Sequence, residues 1–333
     1  MFDSSVLDLD LEAEAQKIQE SMVRIVTREL RRKGVVVGIS GGIDSSACLA
    51  LSVRAFGPQR VCALIMPEVD SSGRSEALAR ELCANLGVEP IEENIGPALE
   101  ALGCYRRRDE AIRSVFPEYD RTYKQKIVLP QNLLESDRIN FFSIVIESPD
   151  GEQKSGRLPL SAYLQVVAST NFKQRTRTTM EYFHADRLNY SVVGTPNRLE
   201  YDQGFFVKGG DGLADVKPIA HLYKTQVYAL ARHFGLPSAI CDSTPTTDTY
   251  SLPQTQEEFY FALPYDKMDL MLYAYTNGVP AETVADGMGL TVDQVGRVFK
   301  DIEAKRKTTR PLHLSPILME DIPDVGEKRP AGK

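Results

Sequence analysis

Gly34-Val35-Val36-Val37-Gly38-Ile39-Ser40-Gly41-Gly42-Ile43-Asp44-Ser45-Ser46 decides how this chain reads. The valines are the β-branched run of a buried parallel strand. The run breaks at Ser40-Gly41-Gly42 and resumes as Asp44-Ser45-Ser46-Ala47-Cys48-Leu49-Ala50-Leu51, the opening of a helix. A strand that feeds a glycine turn at a helix N-terminus is an anion site, because unpaired N–H groups and the positive helix end face the same point. Glycines there let the backbone come close and take positive φ. Asp44 is negative and suits such a site if it holds a divalent cation, as Mg²⁺ binds through one or two carboxylates plus phosphate oxygens. The stretch is neither the Walker loop, since no lysine follows the glycines, nor G-x-G-x-x-G.

Outward from this stretch the chain alternates. Residues 11–33 carry Leu11, Ala15, Ile18, Met22, Ile25, Val26 and Leu30 at helical spacing, then basic residues and the stop at Gly34. Val61 to Met66 is a second strand, closed by Pro67; residues 76–86 form a helix; residues 90–95 are a weaker third strand. The β-α-β-α-β order predicts a doubly wound parallel sheet, an α/β fold with helices on both faces. Residues 139–147 and 154–160, separated by Pro149-Asp150-Gly151-Glu152, predict a β-hairpin inside an insertion of about residues 103–165. The α/β pattern resumes at Val166, with a helix from about Asn171 to Ala185 and a strand from Tyr190 into the polar turn Gly194-Thr195-Pro196-Asn197. A glycine-rich loop holds Lys208, Asp211 and Asp215, and a helix over 223–234 follows. Residues 242–258 read as loop, and 267–312 as a C-terminal helical part of one domain spanning 1–333.

Composition narrows the class. The 333 residues are 42% hydrophobic and 26% charged, which is ordinary for a soluble globular protein. A net charge of −7 argues against a general nucleic-acid binder. No run is long and apolar enough to cross a membrane, and the acidic N-terminus has no secretory apolar core. Cys48, Cys62, Cys83, Cys104 and Cys241 form no C-x-x-C pair and read as free thiols of a reducing, cytoplasmic protein.

The Ser-Gly-Gly-Ile-Asp-Ser motif resembles the pyrophosphate loop of the ATP pyrophosphatases, which split ATP into AMP and pyrophosphate. Further segments narrow the resemblance to the NAD synthetase family within the adenine nucleotide alpha hydrolase-like fold. They are Met66-Pro67 with Ser71-Ser72, Asn171 to Arg177, Gly194 to Glu200, Lys208 to Asp215, Lys224-Thr225-Gln226, Pro245-Thr246 and Lys305-Arg306. The resemblance covers about residues 15–100 and 166–312. It implies ATP-dependent amidation of deamido-NAD by ammonia through an adenylated carboxylate. It also implies that Ser40, Gly41, Gly42, Ile43, Asp44, Ser45 and Ser46 cradle ATP with Thr195, Lys224 and Thr246. Asp44 and Glu200 would hold Mg²⁺. Arg177, Lys208, Asp215 and Lys305 would bind deamido-NAD, and Asp44 and Lys208 would serve the chemistry. A homodimer is implied as well, with free ammonia or a separate glutaminase subunit as the nitrogen source. Three features depart from the family: Ala304 replaces the usual histidine, Thr247 to Tyr250 follows Pro245-Thr246, and the insertion is longer.

Two other readings stand beside this one. A related ligase would adenylate a different carboxylate; the dinucleotide positions favour NAD synthesis. Glu282 to Val295 has a helix-turn-helix look, but Asp293, Gln294, Arg297 and Lys300 offer little for reading bases.

Overall fold

The computed structural model describes residues 2–128, 143–243, 250–253, 260–261, 263–320 and 322. The chain opens with helix α1 (Leu11–Arg24), capped by Asp10 and continued by a π-helical turn over Ile25–Glu29. Strand β1 (Val35–Gly38), helix α2 (Ile43–Phe56), strand β2 (Val61–Ile65), helix α3 (Gly73–Asn85) and strand β3 (Ile91–Glu92) follow as the sequence predicts, with β3 cut to two residues. Helices α4 (Gly96–Ala101) and α5 (Cys104–Arg113) lead into strands β4 (Lys124–Val128), β5 (Ser143–Glu147) and β6 (Gln153–Arg157). Helix α6 (Leu160–Leu188) then runs to strand β7 (Ser191–Val193) and helices α7 (Arg198–Gln203), α8 (Lys224–His233) and α9 (Ser238–Cys241). Helices α10 (Tyr265–Thr276), α11 (Ala281–Met288) and α12 (Val292–His313) complete the order.

The main sheet is parallel, in the order β3-β2-β1-β7. Its residues alternate between two cores, as a sheet covered on both faces requires. Val35, Val37, Ala63 and Val193 pack with α1, α2, α3 and α8. Val36, Cys62, Leu64 and Val192 pack with α4, α5 and α6 on the other face. The chain moves outward from β1 through β2 to β3, then returns by way of α6 to place β7 on the opposite side of β1. The strand order therefore reverses between β1 and β7, the position where open α/β sheets bind ligands beyond their carboxyl ends.

Two expectations change. The hairpin is part of a three-stranded antiparallel sheet, β4-β5-β6; residues 139–142 lie outside the described residues. Helix α6 spans 29 residues and starts at Leu160, just after Pro159, well before Asn171. Nothing between Leu160 and Asn171 breaks a helix, and Val166 and Ala162 are buried against the added sheet. Consequently α5 and the first turns of α6, both inside the 103–165 span, belong to the packed body. The C-terminal helices close a separate core around Met268, Met271, Leu272, Val295, Val298 and Ile302.

Candidate active site

The phosphate loop has the expected form. Gly42 is the N-cap of α2, with Ile43 and Asp44 in the first turn. Gly41 has φ +78, and a Cβ there would lie 2.4 Å from the Ser75 carbonyl oxygen, so glycine is required twice over. Gly42, by contrast, sits in ordinary extended conformation at φ −84. Ser40, Ser45 and Ser46 bind within the loop: the Ser45 and Ser46 hydroxyls donate to the Gly42 carbonyl at 3.0 and 2.7 Å.

Asp44 and Glu200 meet across the switch point. Asn197 lies between them: its Nδ2 donates to Asp44 Oδ1 at 3.1 Å, and its backbone N–H to Glu200 Oε2 at 3.1 Å. The latter bond is half of a capping box that fixes α7 directly after β7. Lys224 is buried behind the pair and donates to Asp44 Oδ2. Burial works to depress its ammonium, yet the charges of Asp44 and Glu200 outweigh it and hold the group above its ordinary value. Asp269, from α10, fixes Lys224 by accepting from the backbone N–H groups of Lys224 and Thr225 at 3.2 and 2.7 Å. Burial pushes the Asp269 carboxyl up to about 6, against those hydrogen bonds and the Lys224 charge.

Two carboxylates, a buried cation and an N-terminal glycine loop fit a phosphate-bound Mg²⁺, which takes few protein ligands and leaves the rest to phosphate and water. Asp44 and Glu200 would be the donors; among the described residues no cluster of three His, Cys, Asp or Glu offers an all-protein cage.

The loop opens into a cavity of about 1480 Å³, above the roughly 300–1,000 Å³ of a single small-ligand site. Its wall includes Ser40 to Ser45, Thr195, Glu200, Arg177 and Lys208. Three of the expected residues, Asp215, Lys305 and the wall residue Lys208, are bound to other parts of the chain. Asp215 accepts from the Val192 N–H at 2.8 Å and from the Tyr182 hydroxyl at 3.3 Å, bound into the end of β7. Lys305 is tucked against Asp301 at 2.8 Å and the Tyr260 carbonyl at 2.8 Å, and burial depresses its ammonium. Lys208 donates to the carbonyls of Pro311 and Leu314 at 2.7 and 3.4 Å. Thr246 lies outside the described residues, as do Pro245 and Thr247 to Thr249.

Sequence reasoning missed Glu181, which joins Asp211 of the glycine-rich loop in the wall. Burial pushes Glu181 up to about 7; the Asp211 charge adds to this and Arg177 opposes it. Burial pushes Asp211 up to about 6, against hydrogen bonds from backbone N–H groups and the charges of Arg177 and Lys217. The Glu181 carboxyl lies over Gly38, where a Cβ would come within 2.3 Å of Oε1. Gly38 was the available signal, since a glycine ending a β-branched strand marks a close approach. The roles of Asn197 and Asp269 were also missed, because Asp44 and Lys224, which they hold, are remote from them in sequence. The five cysteines are buried, and burial raises the thiol of each, so none is primed as a nucleophile.

Comparisons with known proteins place the chain in one family. A model of the NAD synthase family matches residues 15–115 and 107–311. An NH(3)-dependent NAD(+) synthetase of Rhizobium meliloti is 55% identical over 325 residues, 98% of this chain and 97% of the relative. One from Thermotoga maritima is 33% identical over 293 residues, 87% of this chain and 97% of the relative. Two solved structures share the fold. An NH3-dependent NAD synthetase from Campylobacter jejuni has TM-score 0.62 at 21% identity, covering 94% of this chain and 100% of that one. An NMN synthetase from Francisella tularensis has TM-score 0.64 at 22% identity, covering 93% and 99%. With its phosphate loop, its switch-point carboxylates and matches over nearly its whole length, the chain belongs to the NAD synthase family.

Proposed function

We propose that this chain converts deamido-NAD to NAD, using ATP and ammonia and releasing AMP and pyrophosphate. The observation that carries the reading is the Asp44–Asn197–Glu200 group at the switch point, with Lys224 buried behind it and the phosphate loop in front. Close curated relatives bear the name NH(3)-dependent NAD(+) synthetase.

The chemistry follows from the poor reactivity of a carboxylate towards amines. A nicotinate carboxylate oxygen attacks the α-phosphorus of ATP, and the bond to the bridging oxygen breaks to release pyrophosphate. Ammonia then attacks the carbonyl carbon, and AMP departs with the former carboxylate oxygen. The protein's task is positioning and charge stabilisation rather than covalent catalysis. The N–H groups of the Ser40–Ser46 loop receive the phosphates, while Lys224 holds Asp44 in place. Asp44 and Glu200 would hold Mg²⁺, which would supply positive charge to offset that of the phosphates. Thr195 and Thr246 complete the ATP contacts. Arg177, Lys208, Asp215 and Lys305 serve deamido-NAD, the latter two from positions set back from the cavity wall. Glu181 and Asp211, carboxyls that titrate near neutrality, are suited to hold ammonium and take its proton.

The reading includes a cytoplasmic homodimer with free ammonium as donor and no requirement for a glutaminase subunit. The test is incubation with ATP, Mg²⁺ and ammonium against a panel of carboxylate acceptors. Deamido-NAD should be preferred, with NAD, AMP and pyrophosphate formed in equal amounts and glutamine inert as donor. Preference for another carboxylate would establish the related ligase instead.

A further inference from the structure

A network of buried charges joins the turn after β2 to α5 and α6. Lys173, on α6, is 1% exposed. Its Nζ lies 2.5 Å from Asp70 Oδ2 and 3.0 Å from Glu68 Oε1, the latter an ion pair outside hydrogen-bond geometry. Arg108, on α5, binds the same Asp70 oxygen at 2.6 Å and Asp109 at 2.9 Å. The Tyr105 hydroxyl donates to Glu68 Oε2 at 2.8 Å. Arg121, exposed on the segment leading into β4, approaches Asp109 at 3.6 Å from the edge of the network and pairs with Glu100 at 2.9 Å.

Stability does not account for this arrangement. Taking ions out of water costs several kcal/mol each, and apolar packing of similar volume is often no worse. What the network does fix is a turn in the wall of the site. Asp70, Arg108 and Tyr105 all line the cavity. The turn closes on itself, with the Glu68 N–H donating to Ser71 Oγ at 3.1 Å and the Ser71 N–H to the Glu68 carbonyl at 3.0 Å. Ser72 then caps α3, and the carbonyl of Ser75 in its first turn is the atom packed on Gly41. An unbroken chain of contacts therefore runs from Lys173 to the phosphate loop. One helical turn on, Arg177 reaches the Met66 carbonyl at 3.4 Å, so α6 grips the end of β2 twice.

We propose that Lys173 is a positioning residue for the nucleotide: by drawing Glu68 and Asp70 together, with Arg108, it sets the turn that flanks ATP and backs Gly41. The inference rests on the reading of the phosphate loop as the ATP site. It also gives the segment after α4 a role, since α5 supplies Arg108 to the network.

The test is the affinity of the full chain for α,β-methylene-ATP with Mg²⁺, which cannot release pyrophosphate, measured by calorimetry beside thermal melting. Lys173→Met should weaken analogue binding at least tenfold while the affinity for deamido-NAD stays within twofold. Lys173→Arg should recover most of the loss, and Tyr105→Phe should show a smaller loss of the same kind. Should Lys173→Met fail to fold, Tyr105→Phe and Lys173→Arg carry the comparison. Analogue binding within twofold of the native chain in Tyr105→Phe and Lys173→Met, equal weakening of both ligands, or no analogue binding by the native chain would each overturn the proposal. Analogue binding that depends on Lys173 in a chain that makes no NAD would keep the proposal and sink the reaction.

Discussion

Asp44 is held from both sides: one oxygen receives Lys224, the other Asn197. Asp44→Asn keeps the shape and removes the charge that would hold Mg²⁺. Turnover should fall by at least about 100-fold with the melting temperature little changed. Near-native turnover at saturating Mg²⁺ would take Asp44 out of that role. Glu181 and Asp211 make a prediction about pH. Their carboxyls are raised from 4.5 to about 7 and from 3.8 to about 6. Between about pH 4 and 7 the unfolded chain has released protons that the folded chain keeps, so stability falls as pH rises through that window. Glu181→Gln should flatten the fall, by an amount on the order of 2 kcal/mol across the window. Chemical denaturation at several pH values measures it, and an unchanged slope would contradict the assignment. Asp44 was legible because its neighbours in sequence form the loop. Glu181 was not, because its environment is assembled from β1, α6 and the Lys208–Asp215 loop.

Elements were legible where hydrophobic period and punctuation agreed. The Val35–Gly38 and Val61–Ile65 strands are continuous apolar runs closed by turns, and both stand where the sequence puts them. β4 was missed because Lys124-Gln125-Lys126 reads as surface charge, and only pairing with β5 makes it a strand. The early start of α6 was missed because its first turns face a sheet that the sequence shows only in part. Helix α8 begins at Lys224, and its N-terminus is held by Asp269, 45 positions away. Asp269→Ala should therefore cost about 1–2 kcal/mol, the range of a lost N-terminal cap. It should also raise the KM for ATP, since Lys224 loses its anchor. A stability loss with an unchanged KM would show that α8 holds Lys224 without Asp269.

At the scale of the molecule, the sheet places β1 and β7 side by side, and the residues after each strand meet at the switch point. Their order along the chain exposed this pattern before any contact was known. The exposed Leu160, Leu164 and Phe183 of α6 leave apolar surface on the body. The expected homodimer should appear by light scattering at micromolar concentration, and a fully active monomer would refute it. The central claim is that the acceptor carboxylate is adenylated, and oxygen transfer reads that step directly. Deamido-NAD labelled with ¹⁸O in both carboxylate oxygens should be turned over with ATP, Mg²⁺ and ammonium and the products analysed by mass spectrometry. The account predicts one ¹⁸O in each AMP, one retained in the amide of NAD and none in pyrophosphate. Unlabelled AMP, or label appearing in inorganic phosphate beside ADP, would contradict it.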